Sequence, residues 1–292
     1  MIDGELVRPA SLDEACALLA KRAVDGAPTV LLAGGTDFVV EQHLAPASAK
    51  PRPSRAIVDV SNLRELSVIE ERGELIRLGG GVTYLTLRTH PMLVERLPIL
   101  AAMAKDVGAI QIQARGTLAG NVATASPAAD GVCALAALDA IVGLKSVRGV
   151  REVPLERFYL GYKKTELGRD EVIAFVDVRV PHAKTARWSW RKVGTRLAQA
   201  ISKVALAAVA EVDDGVVTRA RFGMASVAPT TAFLPSVRAA IEARRASEID
   251  EGPIVAALDA DIAPIDDVRS TRDYRRHVAR ALVARFVRSL AR

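Results

Sequence analysis

The chain has 292 residues, half of them hydrophobic and a quarter charged, which is enough apolar surface for two domains or one domain with an appendage. Aromatic residues make up only 4%, and none interleave with a basic stripe as a base-stacking surface requires, so the net charge of +6 does not argue for a nucleic-acid partner. Cys16 and Cys133 are the only cysteines, too few for an iron–sulfur cluster on this chain's own thiolates, and His43, His90, His182 and His277 lack metal-ligand spacing.

In chain order, Ser11-Leu12-Asp13-Glu14 is a capping box, and Leu12, Ala15, Leu18, Leu19 and Val24 follow at helical spacing until Gly26 and Pro28. Residues 29–32 form a strand aimed at Ala33-Gly34-Gly35-Thr36-Asp37, with a helix starting at Phe38. Residues 46–56, with three prolines, read as a surface excursion; 56–60 read as a second buried strand, with a helix start at 61–62. Residues 74–78 alternate as a strand and run into Gly79-Gly80-Gly81, while 83–89 and 97–107 are helical. The stretch Arg115-Gly116-Thr117-Leu118-Ala119-Gly120-Asn121 precedes a helix over 128–138, too apolar for the surface. Residues 141–147 and 150–154 make a hairpin around Arg148-Gly149, and 171–180 form a strand ending at Pro181. Further on, the apolar run 201–212 turns at Asp213-Asp214-Gly215 into 216–225, and helices rich in Ala and Arg cover 235–259 and 271–290. This order predicts an α+β chain divided near Pro181. No stretch approaches a membrane span and no apolar leader precedes residue 10, so a cytoplasmic location is expected.

Two loops carry the chemistry. Gly34 and Gly35 let backbone N–H groups converge on an anion, and Thr36 adds a hydroxyl. Asp37, which a phosphate would repel, caps the following helix or bonds a ribose hydroxyl. A strand-to-helix turn that uses glycine for geometry alone fits these residues equally well. In the second loop, Gly116 and Gly120 bracket Thr117, and Asn121 offers both donor and acceptor. Ser126 as N-cap and Pro127 as first helical residue aim free N–H groups into the same region, and Asp130 stands one turn further in. A capped, buried helix after a glycine turn is the plainer alternative. Together the loops point to a long two-phosphate cofactor between them, read as FAD. Neither loop is a G-x-G-x-x-G fingerprint or a P-loop.

AGGTD at 33–37, RGTLAGN at 115–121, ASPAAD at 125–130, FYLGYKKT at 158–165, KVGTR at 192–196 and PIDDVRSTRDYRRH at 264–277 follow one another in a telling order. That order resembles the FAD-binding medium subunit of molybdenum hydroxylases, the xanthine dehydrogenase and carbon monoxide dehydrogenase family. The resemblance implies a two-lobed FAD-binding fold of the p-cresol methylhydroxylase type over 1–180, with lobes at about 1–55 and 56–180, and a smaller C-terminal α+β domain over 181–292. It implies Leu32, Ala33, Gly34, Gly35, Thr36 and Asp37 around the pyrophosphate, and Thr117, Gly120, Asn121 and Ser126 at phosphate or flavin edges. Asp130 would contact the cofactor, Ile173 would lie near adenosine or flavin, and Lys192 near the flavin ring. An ammonium there would favour an anionic reduced flavin, although a solvated Lys on a strand fits the sequence too.

The resemblance also implies that the organic substrate is hydroxylated elsewhere, on a molybdopterin-binding large subunit. A small subunit with two-iron two-sulfur clusters would feed electrons to this FAD, and NAD or another acceptor would take them. KVGTR and PIDDVRST look closer to the purine-type dehydrogenases than to the carbon monoxide enzymes. One alternative is a self-sufficient FAD-dependent oxidoreductase of the same fold, which the lack of His in either loop disfavours. The other is a flavin-free scaffold subunit, supported only by Ala119, where the family usually has Gly.

Overall fold

Ser11 starts the first helix, Leu12–Val24: its hydroxyl accepts from the Glu14 N–H at 3.1 Å, and the Glu14 carboxylate accepts from the Ala10 N–H at 2.6 Å. The capping box is therefore present, with its return bond one residue earlier than the simplest form. The computed structural model describes residues 5–43, 55–196 and 199–291, so the expected surface excursion over 46–56 lies almost wholly outside the described residues.

Leu12, Ala15, Cys16 and Leu19 of this helix share a core with Val58, Val60, Val172 and Ala174. Val58 belongs to a three-stranded parallel sheet in which Ala56–Asp59 lies between Leu6–Val7 and Thr29–Leu32. Val172 and Ala174 belong to Val172–Arg179, the middle strand of an antiparallel sheet ordered Ile69–Arg72, Leu75–Gly79, Val172–Arg179, Ile141–Ser146, Gly149–Pro154. That middle strand is buried on both faces from Val172 to Val178, hence its nearly unbroken apolar sequence. A bulge between Ile173 and Phe175 shifts its phase, so Ile173 and Val176 both face the larger core while Ala174 and Phe175 face the smaller one.

A third sheet is antiparallel: Ala186–Val193, Val204–Asp213, Val216–Ala225. Its middle strand alternates between two cores, as a period of two dictates. Ala205, Ala207 and Val209 pack with Met103 and Cys133 of the helices Pro98–Lys105 and Asp130–Ala136. Val204, Leu206, Ala208 and Ala210 pack with Val237, Leu258 and Val283 of the helices Pro235–Ile241, Glu251–Asp261 and Arg272–Leu290. The sheet is thus a shared middle layer, and apolar packing crosses the division expected near Pro181.

The single helix expected over 235–259 is two helices separated by the short 3-10 turn Ala246–Glu248. The chain between them is drawn to the edge of the third sheet. Ala243, at φ 62°, donates to the Val217 carbonyl, and Ala246 donates to the Gly215 carbonyl, both at 2.8 Å. Much of the basic charge on Arg272–Leu290 is met locally: Asp259 pairs with Arg276 and Arg280, Asp266 with Arg272, Asp267 with Arg275 and Glu251 with Arg288. Among the described residues no helix is long and apolar enough to cross a membrane.

Asp130–Ala136, buried along almost its whole length, lies directly on the third sheet because Gly223 has no side chain. A Cβ there would land on the Cys133 carbonyl oxygen and 2.8 Å from the Ala136 methyl, and the Cys133 thiol donates to the Gly223 carbonyl at 3.0 Å. Gly223→Ala should therefore lower stability by about 1–3 kcal/mol in urea unfolding, the usual cost of overpacking. An unchanged midpoint would contradict this account of the layer contact.

Candidate functional site

The strand Thr29–Leu32 delivers the first loop. Gly35 takes φ 76°, a left-handed conformation that favours glycine, and the following helix is Thr36–His43. It begins two residues earlier than the sequence predicts, with the Val39 N–H bonded to the Gly35 carbonyl at 3.0 Å. Asp37 consequently lies inside the first turn instead of capping it. The N–H groups of Thr36, Asp37 and Phe38 have no acceptor within the helix, and this end opens on the cavity described below.

The second loop is largely a helix entrance. Thr117 caps the helix Leu118–Thr124, its hydroxyl oxygen accepting from the Gly120 N–H at 3.0 Å, which leaves the hydroxyl proton to donate outward. Ala119 is helical, so its position does not require the positive φ that would demand glycine. Asn121 accepts from the Val132 N–H at 3.3 Å and so helps to hold the start of Asp130–Ala136.

Ser126 and Pro127 do not begin that helix as the sequence suggests. Ala125, at φ 52°, ends the preceding helix, and Ser126 closes a turn by accepting from the N–H groups of Ala128 at 3.2 Å and Ala129 at 3.1 Å. Ala129 is the N-cap and Asp130 the first helical residue.

The two loops meet backbone to backbone. A Cβ on Gly34 would land on the Arg115 carbonyl oxygen, 2.7 Å from its carbon and 3.0 Å from the Gly116 Cα. The Thr124 hydroxyl reinforces the junction by donating to Asp37 Oδ2 at 2.7 Å. A cavity of about 440 Å³ opens at this junction, within the usual range of cofactor pockets. Leu32, Ala33, Gly34, Gly35, Thr36, Asp37, Thr117, Gly120, Asn121 and Ile173 all line it.

Ser126, Asp130 and Lys192 do not line the cavity. Asp130 and Lys192 pair behind its wall at 2.5 Å, and Lys192, on the strand Ala186–Val193, also donates to the Asp106 carbonyl at 2.9 Å. The Trp190 indole holds the Asp106 carboxylate at 2.7 Å. With its side chain 9% exposed, Lys192 is not the solvated lysine that the sequence also allowed. Burial pushes the Asp130 carboxyl up to about 6, against the opposing pull of the Lys192 ammonium. Among the described residues, Asp130 Oδ1 and the Tyr84 hydroxyl are both buried without a hydrogen-bond partner. Tyr84 itself lines the cavity, so the buried pair abuts the site from behind.

Tyr84, Val107, Ile112 and the segment Leu167, Gly168 and Arg169 also line the cavity, and sequence reasoning missed them. Most are apolar or lie on a connecting segment, and apolar spacing alone cannot separate a cavity wall from a core. One signal was available. Gly79-Gly80-Gly81 follows a strand, and Gly80 donates its N–H to the Ala174 carbonyl at 2.8 Å, close beside the bulge at Ile173.

These residues suit an elongated cofactor with an anionic centre. Open helix-terminal amides and the Thr36 and Thr117 hydroxyls meet at the loop junction, where negative charge is favoured. Leu19, Leu31, Leu66 and Val172 give an apolar wall beside the first loop, and Tyr84, Val107 and Ile112 give another beside the second. Fold and cleft thus define a protein built around a phosphate-bearing, two-ended cofactor.

The family described as "FAD binding domain in molybdopterin dehydrogenase" matches residues 2–183, and "CO dehydrogenase flavoprotein C-terminal domain" matches residues 189–290. The FAD-subunit of nicotinate dehydrogenase from Eubacterium barkeri is 35% identical over 222 residues, covering 75% of this chain and 72% of that protein. The carbon monoxide dehydrogenase medium chain of Hydrogenophaga pseudoflava is 30% identical, covering 95% of this chain and 93% of that one. A solved structure of the Hydrogenophaga pseudoflava carbon monoxide dehydrogenase, lacking the Mo-pyranopterin moiety, superposes with a TM-score of 0.88 at 28% identity, covering 97% of this chain and 96% of its counterpart. The chain belongs to the family of FAD-binding subunits of molybdenum hydroxylases.

The Asp130–Lys192 pair gives a direct test of the wall behind the site. Asp130→Asn or Lys192→Met alone leaves a buried group unpaired and should cost about 3–5 kcal/mol, whereas the double variant should cost less than either. A carboxyl held near 6 keeps, in the folded state, a proton that the unfolded chain has released above about 4. Its contribution to stability therefore falls as pH rises from about 4 to about 6, and Asp130→Asn should flatten that slope. Urea unfolding across this range checks both points; additive, pH-independent losses would contradict the buried pair.

Proposed function

We propose that this chain is the FAD-bearing electron-transfer subunit of a molybdenum hydroxylase complex, with FAD seated across the junction of the two loops. The backbone contact between Gly34 and Arg115–Gly116, with an open helix N-terminus beside it, is the observation that carries the reading. Two amide-rich segments fixed against each other form a rigid cradle for a diphosphate. When bound, FAD supplies a centre that accepts electrons singly and releases them as a pair.

The roles of the chain's own residues follow from their places. The amides of Gly35 and Thr36 and the Thr117 hydroxyl bind the diphosphate. Asp37 takes no phosphate; it ties the first loop to Thr124. Asn121 braces the second loop against Asp130–Ala136. Asp130 and Lys192 set the electrostatic field behind the wall, and Tyr84 faces the cavity in front of them. In this reading residues 1–180 hold the cofactor, while residues 181–292 form a second unit that reaches the site through Lys192.

The partners in this proposal are a molybdopterin-binding large subunit, where substrate is hydroxylated, and a small subunit carrying two-iron two-sulfur clusters. Two cysteines cannot supply the four thiolates of such a cluster, so in this reading the clusters sit on another chain. NAD or another acceptor takes the electrons onward. A purine-type complex is the proposed setting, on the strength of the Lys192–Arg196 run and the 264–271 segment.

The purified chain should show flavin absorption bands at about one FAD per chain, with the colour released by heat and identified as FAD. It should be reducible by an artificial donor yet turn over no organic substrate alone. A colourless protein that takes up no added FAD would leave the scaffold reading, and substrate turnover by the isolated chain would favour the self-sufficient oxidoreductase.

A further inference from the structure

The cavity wall formed by residues 167–173 contains a device that the two glycine-bearing loops do not account for. Glu171 is 6% exposed, an unusual place for a carboxylate unless it is fully engaged. It is: Arg151 grips it with two bonds, Nε to Oε1 at 2.6 Å and Nη2 to Oε2 at 2.8 Å. The same Oε2 accepts from the Gly168 N–H at 2.8 Å, and the Glu171 N–H donates to the Gly168 carbonyl at 3.2 Å. Arg151 Nη2 also donates to the Glu166 carbonyl at 2.6 Å. The turn 166–171 is therefore closed from inside by one carboxylate and stapled at its start by the arginine that neutralises that carboxylate. Arg151 holds the Glu171 carboxyl below its usual range, so the clasp stays ionised at neutral pH.

The clasp fixes the backbone of Arg169, which lines the cavity. Its neighbour Asp170 is taken by Arg148, and no carboxylate among the described residues pairs with the Arg169 guanidinium. Of the three acidic residues of the cavity wall, Asp37 accepts from Thr124, Glu171 is bound to Arg151, and Glu41 is engaged in an interaction of its own. An arginine on a rigid turn, lining a cleft whose centre suits a diphosphate, lacks only an anion. The apolar residues of the same wall, Val172 and Ile173, together with Leu19 and Leu31, offer a slot for a flat ring.

We propose that Arg169 binds the adenosine diphosphate half of the cofactor and that Glu171, clamped by Arg151, is its positioning residue. The inference rests on FAD occupying the cleft and adds a contact from outside the two loops. A guanidinium on a diphosphate makes a charge-assisted bond that a flavin lacking the adenosine half cannot fully use.

The test titrates FAD and FMN into the flavin-free full chain, following flavin fluorescence, for wild type, Arg169→Ala, Arg169→Lys, Glu171→Gln and the Arg169→Ala/Glu171→Gln double variant. Arg169→Ala, a change at an exposed side chain, should weaken FAD by about tenfold or more while leaving FMN nearly unchanged. The loss should shrink as salt is raised from about 0.05 to about 0.5 M, and Arg169→Lys should restore part of it. Glu171→Gln should weaken FAD more than FMN, and the double variant should bind FAD no worse than Arg169→Ala alone, because both changes remove the same contact. Equal FAD affinity for wild type and Arg169→Ala, or equal losses for FAD and FMN, would overturn the proposal while leaving the cofactor in place. A wild-type chain that takes up neither flavin would overturn it together with the cofactor reading.

Discussion

Two backbones can lie against each other only where no side chain intervenes, and Gly34 meets that condition at the centre of this molecule. Its missing Cβ lets the first loop press on the Arg115 carbonyl and on Gly116. The two helix starts at the cleft take their relative position from that contact. It aligns the open start of Thr36–His43 with the capped start of Leu118–Thr124, and it brings Asp37 within reach of the Thr124 hydroxyl. A single methyl group would force the loops apart, and the cradle would lose the convergence of donors that makes an anion welcome there.

Behind the cradle, a second constraint links parts of the chain far apart in sequence. Lys192 comes from the edge strand of the third sheet, Asp130 from a buried helix and Asp106 from the end of Pro98–Lys105. Burying the ammonium and the carboxylate is costly unless they meet, so the pair penalises any slippage of the sheet against the helices. The same pair lies next to Tyr84, one of the residues that face the cofactor cleft. Packing and electrostatics therefore converge on one wall, which explains how a sheet outside the expected cofactor region reaches the site.

Much of this was legible in the sequence, and the misses have physical causes. Local signals served well: the Ser11 cap, the strand Thr29–Leu32, the Asp213-Asp214-Gly215 turn and the final helix all depend on near neighbours. Errors arose where distant chain competed for backbone bonds. The break after Pro235–Ile241 exists because the sheet edge captures Ala243 and Ala246. Ser126 looked like an N-cap, but the distant Ser226 N–H takes the Pro127 carbonyl, and Ser126 closes a turn ahead of the helix instead. The glycine-bearing loops stood out because adjacent or closely spaced glycines beside a threonine mark backbone open to close approach. The apolar walls did not, since Val107, Ile112 and Val172 carry no mark that separates cavity from core. Asp130 and Lys192 were visible singly, yet only the fold could show that each is the other's partner.

A crystal structure of the chain saturated with FAD would show directly where the diphosphate sits. The diphosphate should lie at the loop junction, within hydrogen-bond distance of the Gly35 and Thr36 amides and of the Thr117 hydroxyl, with Gly34 still against Arg115. A diphosphate bound away from that junction, or loops that must separate to admit it, would rule out the Gly34 contact as the cofactor cradle.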